Sequence, residues 1–97
     1  MRARYTPRAR ADLEEIVQYI ASDNPHAAER VRRAIFDAIE LVATHPYAGI
    51  KNARAPELRS KLVSRYPYRV HYHVSGGELW IVHIRHTARR PWGGEAK

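Results

Sequence analysis

The sequence predicts an α+β domain in which an antiparallel helical hairpin packs on a small antiparallel β-sheet. Three observations predict it. Two amphipathic stretches with helix-start signals lie close together, the first opened by Thr6-Pro7 and the second by Asn24-Pro25. From Tyr68 to Val74 the chain then alternates, with Val70, Tyr72 and Val74 on one face and Arg69, His71 and His73 on the other. That period of two marks a half-buried strand. Ser75-Gly76-Gly77 separates it from a second β-rich run, Glu78 to His86, and the two together read as a β-hairpin. Helices grouped before strands give the layered arrangement of helices on one face of a sheet.

In chain order, residues 2–5 read as a short edge strand with Ala3 and Tyr5 on one face. The first helix is expected over about residues 7–22, because Leu13, Ile16, Val17 and Ile20 fall at i, i+3, i+4 and i+7. Asp12, Glu14 and Glu15 sit towards its N-terminal half, where carboxylates suit the helix dipole. The second helix, about residues 25–44, buries Ala28, Val31, Ile35, Ala38, Ile39 and Val42 and ends at Thr44-His45-Pro46. So short a connection makes the two helices antiparallel neighbours. Residues 45–58 contain Pro46, Gly49 and Pro56 without periodicity and read as a loop. A strand meander over residues 59–87 follows, with Tyr66-Pro67 as a bend, and residues 88–97 form a basic tail.

The turn sets the parity of the hairpin. A two-residue Gly76-Gly77 turn would place Arg69, His71 and His73 with Trp80, Val82 and Ile84. An odd loop separates apolar from cationic residues instead, so it is the expected register, with Val70, Tyr72, Val74, Trp80, Val82 and Ile84 towards the helices. Arg69, His71, His73, His83 and Arg85 then share the opposite face.

The 97 residues suit a single domain, and 44% hydrophobic with 28% charged residues excludes a disordered chain. There is no cysteine, so disulfides and thiolate metal sites are excluded. Met1-Arg2-Ala3-Arg4 leads into polar sequence, and no apolar run approaches a membrane span; a cytoplasmic protein without membrane contact is expected. The net charge of +7 is uneven. Residues 1–50 carry seven basic and seven acidic residues, whereas residues 51–97 carry ten and three. Excess positive charge in the hairpin half points to an anionic partner, either nucleic acid or an acidic protein.

No metal or cofactor is expected. His71, His73 and His83 are close enough in pattern to suggest ligands, but Glu78 is the one carboxylate nearby and several arginines repel a divalent cation. Ser60, Ser64 and Ser75 lack nucleophile context, and Gly76-Gly77 and Gly93-Gly94 lack the pattern of phosphate loops. What remains is Arg59, Lys61, Arg69, Arg85, His86, Arg89 and Arg90 with nearby Tyr68, Tyr72 and Trp92. Such a set suits phosphate binding, metal-free RNA cleavage or the clamping of an acidic protein segment.

Several segments carry a family resemblance. They are Thr6-Pro7 before two helices, His45-Pro46-Tyr47-Ala48-Gly49, Leu58-Arg59, Tyr66 to Tyr72, and Ile84-Arg85-His86-Thr87-Ala88-Arg89-Arg90-Pro91. In this order they resemble the RelE/ParE superfamily of type II toxin–antitoxin toxins over nearly the whole chain. The resemblance implies a helical hairpin on a small sheet and a cognate antitoxin, ParD-like or RelB-like. It also implies one of two targets: DNA gyrase for ParE-like members, or mRNA on the ribosome for RelE-like members. The His86-Thr87-Ala88-Arg89 ending is more similar to ParE-type sequences, and no tyrosine follows Tyr72 to match the nucleases' C-terminal one. The expected target-binding residues are Arg59, Arg69, Arg85, His86, Arg89 and Trp92. In a RelE-like enzyme Arg59, Lys61, Arg69, Arg85, His86 and Arg89 would be catalytic. Arg59, Arg69, Arg85, His86 and Arg89 are expected to converge at one end of the sheet. A non-toxic basic nucleic-acid-binding or adaptor domain is the remaining alternative.

Overall fold

The computed structural model describes residues 1–88. The elements are β1 (Ala3–Tyr5), α1 (Pro7–Ala21), α2 (Pro25–Thr44), β2 (Ile50–Lys51), β3 (Arg59–Leu62), β4 (Tyr68–Ser75) and β5 (Glu78–His86). Both helices begin at the expected prolines. The Thr6 hydroxyl accepts from Ala9 N at 3.1 Å, and Asn24 Oδ1 accepts from Ala27 N at 3.0 Å. Each cap satisfies a backbone donor that the first helical turn leaves unpaired.

The strands form one sheet in the order β1-β5-β4-β3-β2. Two corrections to the sequence reading appear here. The sheet is mixed, because β1 runs parallel to β5 while the other pairs are antiparallel. Tight turns force neighbouring strands antiparallel; β1 reaches β5 only after two helices and three strands, so it carries no such constraint. The presumed loop 45–58 also contains β2, whose Ile50 and Lys51 pair with Ser60 and Arg59. A two-residue strand has no room for periodicity.

Helices cover one face of the sheet. The α2 stripe is buried as expected, with Ile35 and Val42 wholly inaccessible, and it meets Val63, Val70, Tyr72, Leu79, Ile81 and Ile84. Leu13, Ile16 and Ile20 of α1 pack against the edge of this core. The opposite side of the sheet, the far face, carries Arg69, His71 and His73.

The hairpin register differs from the expectation. Gly76 and Gly77 both have positive φ, 59° and 76°, and form a two-residue turn between the paired Ser75 and Glu78. Both central residues at positive φ define the type I′ turn that matches strand twist. The even parity sends Leu79 and Ile81 into the core opposite Val74 and Tyr72, and it places Trp80 beside His73 on the far face. Trp80 is therefore not a core residue. Beyond the middle of the hairpin a β-bulge at Val82 shifts the pairing, since His71 pairs with His83 while Tyr72 pairs with Ile81. Past that extra residue Val70 meets Ile84 in the core, and Arg69 meets Arg85 on the far face. The hairpin thus uses both parities in turn. Thr6 fixes the crossover point: its N–H donates to Ile81 O at 3.0 Å and its hydroxyl to Val82 O at 3.3 Å.

Candidate target-binding face

The period of two decides which of the expected residues meet. Arg69 and Arg85 are direct cross-strand partners on the far face. Arg69 Nη1 donates to the buried Ser60 hydroxyl at 2.8 Å. Arg85 Nε donates to His71 Nε2 at 3.2 Å and its Nη1 to His86 O at 3.1 Å. Like charges directly opposite one another destabilise a sheet. Burial first, and then the Arg69 guanidinium, lowers the Arg85 pKa from its ordinary value.

Two histidines lie beneath this pair. His71 and His83 stack at 5.7 Å between ring centres with an interplanar angle of 18°. Asp12 reaches them from α1, its Oδ2 accepting from His83 Nδ1 at 2.7 Å and from Ile84 N at 3.0 Å. Asp12 thus ties α1 to the bulged half of β5 and is more than a dipole partner for its own helix. Burial, followed by His83, Arg85, Arg69 and Arg8, pushes His71 down from 6.5 to about 3. The ring is neutral at physiological pH, and accepting from Arg85 at Nε2 places its proton on Nδ1.

This has a measurable consequence. As the pH falls through about 6.5 the unfolded chain takes up a proton at His71, whereas the folded chain resists until about 3. The stability linked to His71 is complete above the unfolded value and declines below it. Between about pH 6.5 and pH 5 the expected loss is about 1–2 kcal/mol. His71→Gln keeps an acceptor for Arg85 and should remove this part of the pH slope in urea unfolding. Identical slopes in the two proteins would contradict it.

The other expected residues do not converge. His86 pairs with Tyr68 and so lies on the helix side, one residue on from Arg85. It meets Tyr68 edge-on at 5.4 Å, and its Nδ1 accepts from Ala88 N at 3.0 Å. Lys61 shares that side, opposite Val70. Arg59 lies opposite Tyr72, its Nη1 donating to Tyr47 O and Gly49 O at 3.2 and 3.0 Å and its guanidinium resting 5.1 Å from the Tyr47 ring centre. It holds the loop before β2 and stays away from Arg69. Arg89 and Trp92 lie outside the described residues. Among the described residues the ion-paired acids are Glu78, Glu29 and Asp12, held by Arg4, Arg32 and His83, so none of them joins Arg69.

A second surface lies on the helix side. A groove of ≈ 800 Å³ runs between α2 and the Lys61–Tyr66 segment, floored by Ala34, Ala38, Leu41 and Val63. Arg30, Arg33, Lys61 and Arg65 rim it against one acid, Asp37. β2 covers only Arg59 and Ser60, so the edge of β3 at Lys61 and Leu62 stays open beside the groove. Leu41 and Leu62 are 43% and 49% exposed, an unusual state for leucine so close to the core. No helix among the described residues is long and apolar enough to cross a membrane.

A helical hairpin on a five-stranded sheet, with paired arginines on its far face and a basic-rimmed groove on its helix side, defines a small basic α+β domain. The family model described as the ParE toxin of the type II toxin–antitoxin system parDE matches residues 3–91, and the chain belongs to that family. It is 38% identical over 85 residues to the protein named Toxin RelE2 of Caulobacter vibrioides, covering 88% of this chain and 93% of that one. It is 34% identical over 91 residues to the toxin-named protein Y4kP of Sinorhizobium fredii, covering 94% and 92%. The fold matches a solved chromosomal ParDE system from P. aeruginosa with TM-score 0.76 at 24% identity, covering 89% and 95% of the two chains. It also matches a YoeB/ParE toxin from Agrobacterium tumefaciens with TM-score 0.63 at 20% identity, covering 89% and 98%. Membership of this family implies a cognate antitoxin as partner.

Proposed function

We propose that the protein inhibits growth as a ParE-like toxin, binding DNA gyrase through the far face around Arg69 and Arg85. One observation carries this reading: the paired arginines and His86 lie on opposite faces of the sheet. A metal-free ribonuclease needs an acid and a base beside the phosphate that its arginines hold. Next to Arg69 and Arg85 the imidazoles are His71 and His83, both buried, one engaged by Arg85 and the other by Asp12. A gyrase poison needs only a shaped cationic surface. The test is induced expression, followed by the SOS response and plasmid supercoiling on one side and ribosome-dependent mRNA cleavage on the other. His86→Gln should leave growth inhibition unchanged.

The name of the 38% identical relative, Toxin RelE2, favours the alternative of a RelE-like mRNA endonuclease. In that case mRNA would be cut, DNA topology would stay normal, and His86→Gln would lower cleavage on the order of a hundredfold.

The groove beside α2 supplies the antitoxin site in this reading. Its apolar floor and its excess of cations suit a segment that is acidic and amphipathic and orders on binding. Reversing two rim charges, Arg30→Glu with Arg33→Glu, should weaken antitoxin binding at least tenfold and flatten its salt dependence. Titration calorimetry at two salt concentrations measures this. Unchanged affinity in a folded variant would place the antitoxin elsewhere.

A further inference from the structure

Residues 2–10 carry four arginines, Arg2, Arg4, Arg8 and Arg10, and no acid. The first turn of α1 contains no carboxylate. Arg8 and Arg10 sit there instead, at the helix end whose dipole disfavours cations. Folding concentrates three of the four. β1 is the outer strand of the sheet, with Arg2 O and the following Thr6 N turned inward to Leu79 N and Ile81 O. A polar pocket of ≈ 230 Å³ along this edge is lined by Arg2, Arg4, Arg10, Tyr5 and Trp80, with Ala3 between them. Glu78 Oε2 holds Arg4 Nε at 2.7 Å, and the Arg4 guanidinium lies 5.9 Å from the Trp80 ring centre. Arg2 and Arg10 enter no ion pair among the described residues.

We infer that this edge is an anion site that grips the phosphodiester backbone of a nucleic-acid strand. Three arginines line one pocket in which a single one, Arg4, is ion-paired, and the fixed fork of a guanidinium matches phosphate oxygens in pairs. An indole beside cations is the arrangement by which proteins hold single strands without reading sequence. A three-residue edge offers too few backbone groups for an acidic peptide to add as a further strand. Arg69 and Arg85 do not line the pocket, so the site is separate from the arginine pair although Trp80 shares their face of the sheet.

The test uses the full-length protein and fluorescence anisotropy with labelled single-stranded DNA and RNA of about twelve nucleotides, a length within the range of known single-strand sites. Arg2→Ala with Arg10→Ala should weaken binding on the order of tenfold near physiological salt. It should also flatten the log K against log salt slope by roughly 1.4, the loss of two contacts to a single strand. Lys51→Ala with Arg54→Ala removes the same charge from exposed positions outside every site described and should leave affinity within about twofold and the slope unchanged. This pattern with either oligonucleotide supports the site, and the tighter of the two names its source. Equal losses in the two double variants, or an unchanged slope in the first, overturn it. So does tighter binding of a poly-glutamate peptide of equal charge. None of these readings depends on gyrase or on growth.

Discussion

Gly49→Ala is expected to lower the unfolding free energy by about 3 kcal/mol, combining overpacking with the loss of buried hydrogen bonds. A Cβ at this position would lie 2.4 Å from Tyr72 Oη and 2.8 Å from the backbone oxygen of Ser60. Tyr72 is fully buried, and its hydroxyl accepts from Gly49 N at 3.0 Å and donates to Pro46 O at 2.7 Å. That hydroxyl binds the loop after α2 to the centre of the sheet, so moving it disturbs both. For a domain of this size the melting temperature should fall by roughly 15 °C. Adding Tyr72→Phe removes the nearest atom, but the ring carbon at 2.9 Å remains, so the double variant should recover only part of the loss. Denaturant titration of the four proteins of this cycle checks it. A Gly49→Ala protein within about 0.5 kcal/mol of the parent, the range of ordinary surface substitutions, would mean that the loop yields freely.

Arg69→Ala is expected to abolish growth inhibition while costing about 1 kcal/mol of stability or less. Among the described residues its guanidinium donates to the Ser60 hydroxyl, and removing its charge relieves repulsion of Arg85 across the strands. Antitoxin binding should persist, because Arg69 does not line the groove beside α2. Arg69→Lys keeps the charge but loses the planar fork, and it should restore toxicity only in part. The opposite pattern, a protein of reduced stability that remains fully toxic, would make Arg69 a structural residue. Growth curves and thermal melts of the same preparations distinguish the two.

Much of this molecule is written locally in its sequence. Thr6-Pro7 and Asn24-Pro25 place both helix starts, and the α2 stripe from Ala28 to Val42 is buried as its spacing requires. The hairpin was legible as a hairpin but not in its register. Parity there depends on a two-residue turn and on the bulge at Val82, and the bulge is fixed by Thr6, which is distant in sequence. That coupling has no local signature. Arg69 and Arg85 emerge together because cross-strand pairing aligns them. Adjacent strands bring His86 to the same end of the hairpin, but one residue along a strand reverses the face and separates it from them. Arg59 fails for a different reason, since the carbonyls of Tyr47 and Gly49 claim its guanidinium. Asp12 had an adequate local explanation at the helix N-terminus, which concealed its bond to His83. The arginines of residues 2–10 are masked in the net charge of residues 1–50 by the seven acids further along that half.

Purified gyrase tests most directly whether the far face is a gyrase-binding surface. Supercoiling of relaxed plasmid should be measured with added wild-type protein, Arg69→Ala and Arg85→Ala, each confirmed as folded and able to bind antitoxin. The wild-type protein should inhibit supercoiling, and both variants should leave gyrase fully active. Undisturbed supercoiling with the wild-type protein, together with mRNA cleavage when it is added to translating ribosomes, would rule out gyrase as the target of this face.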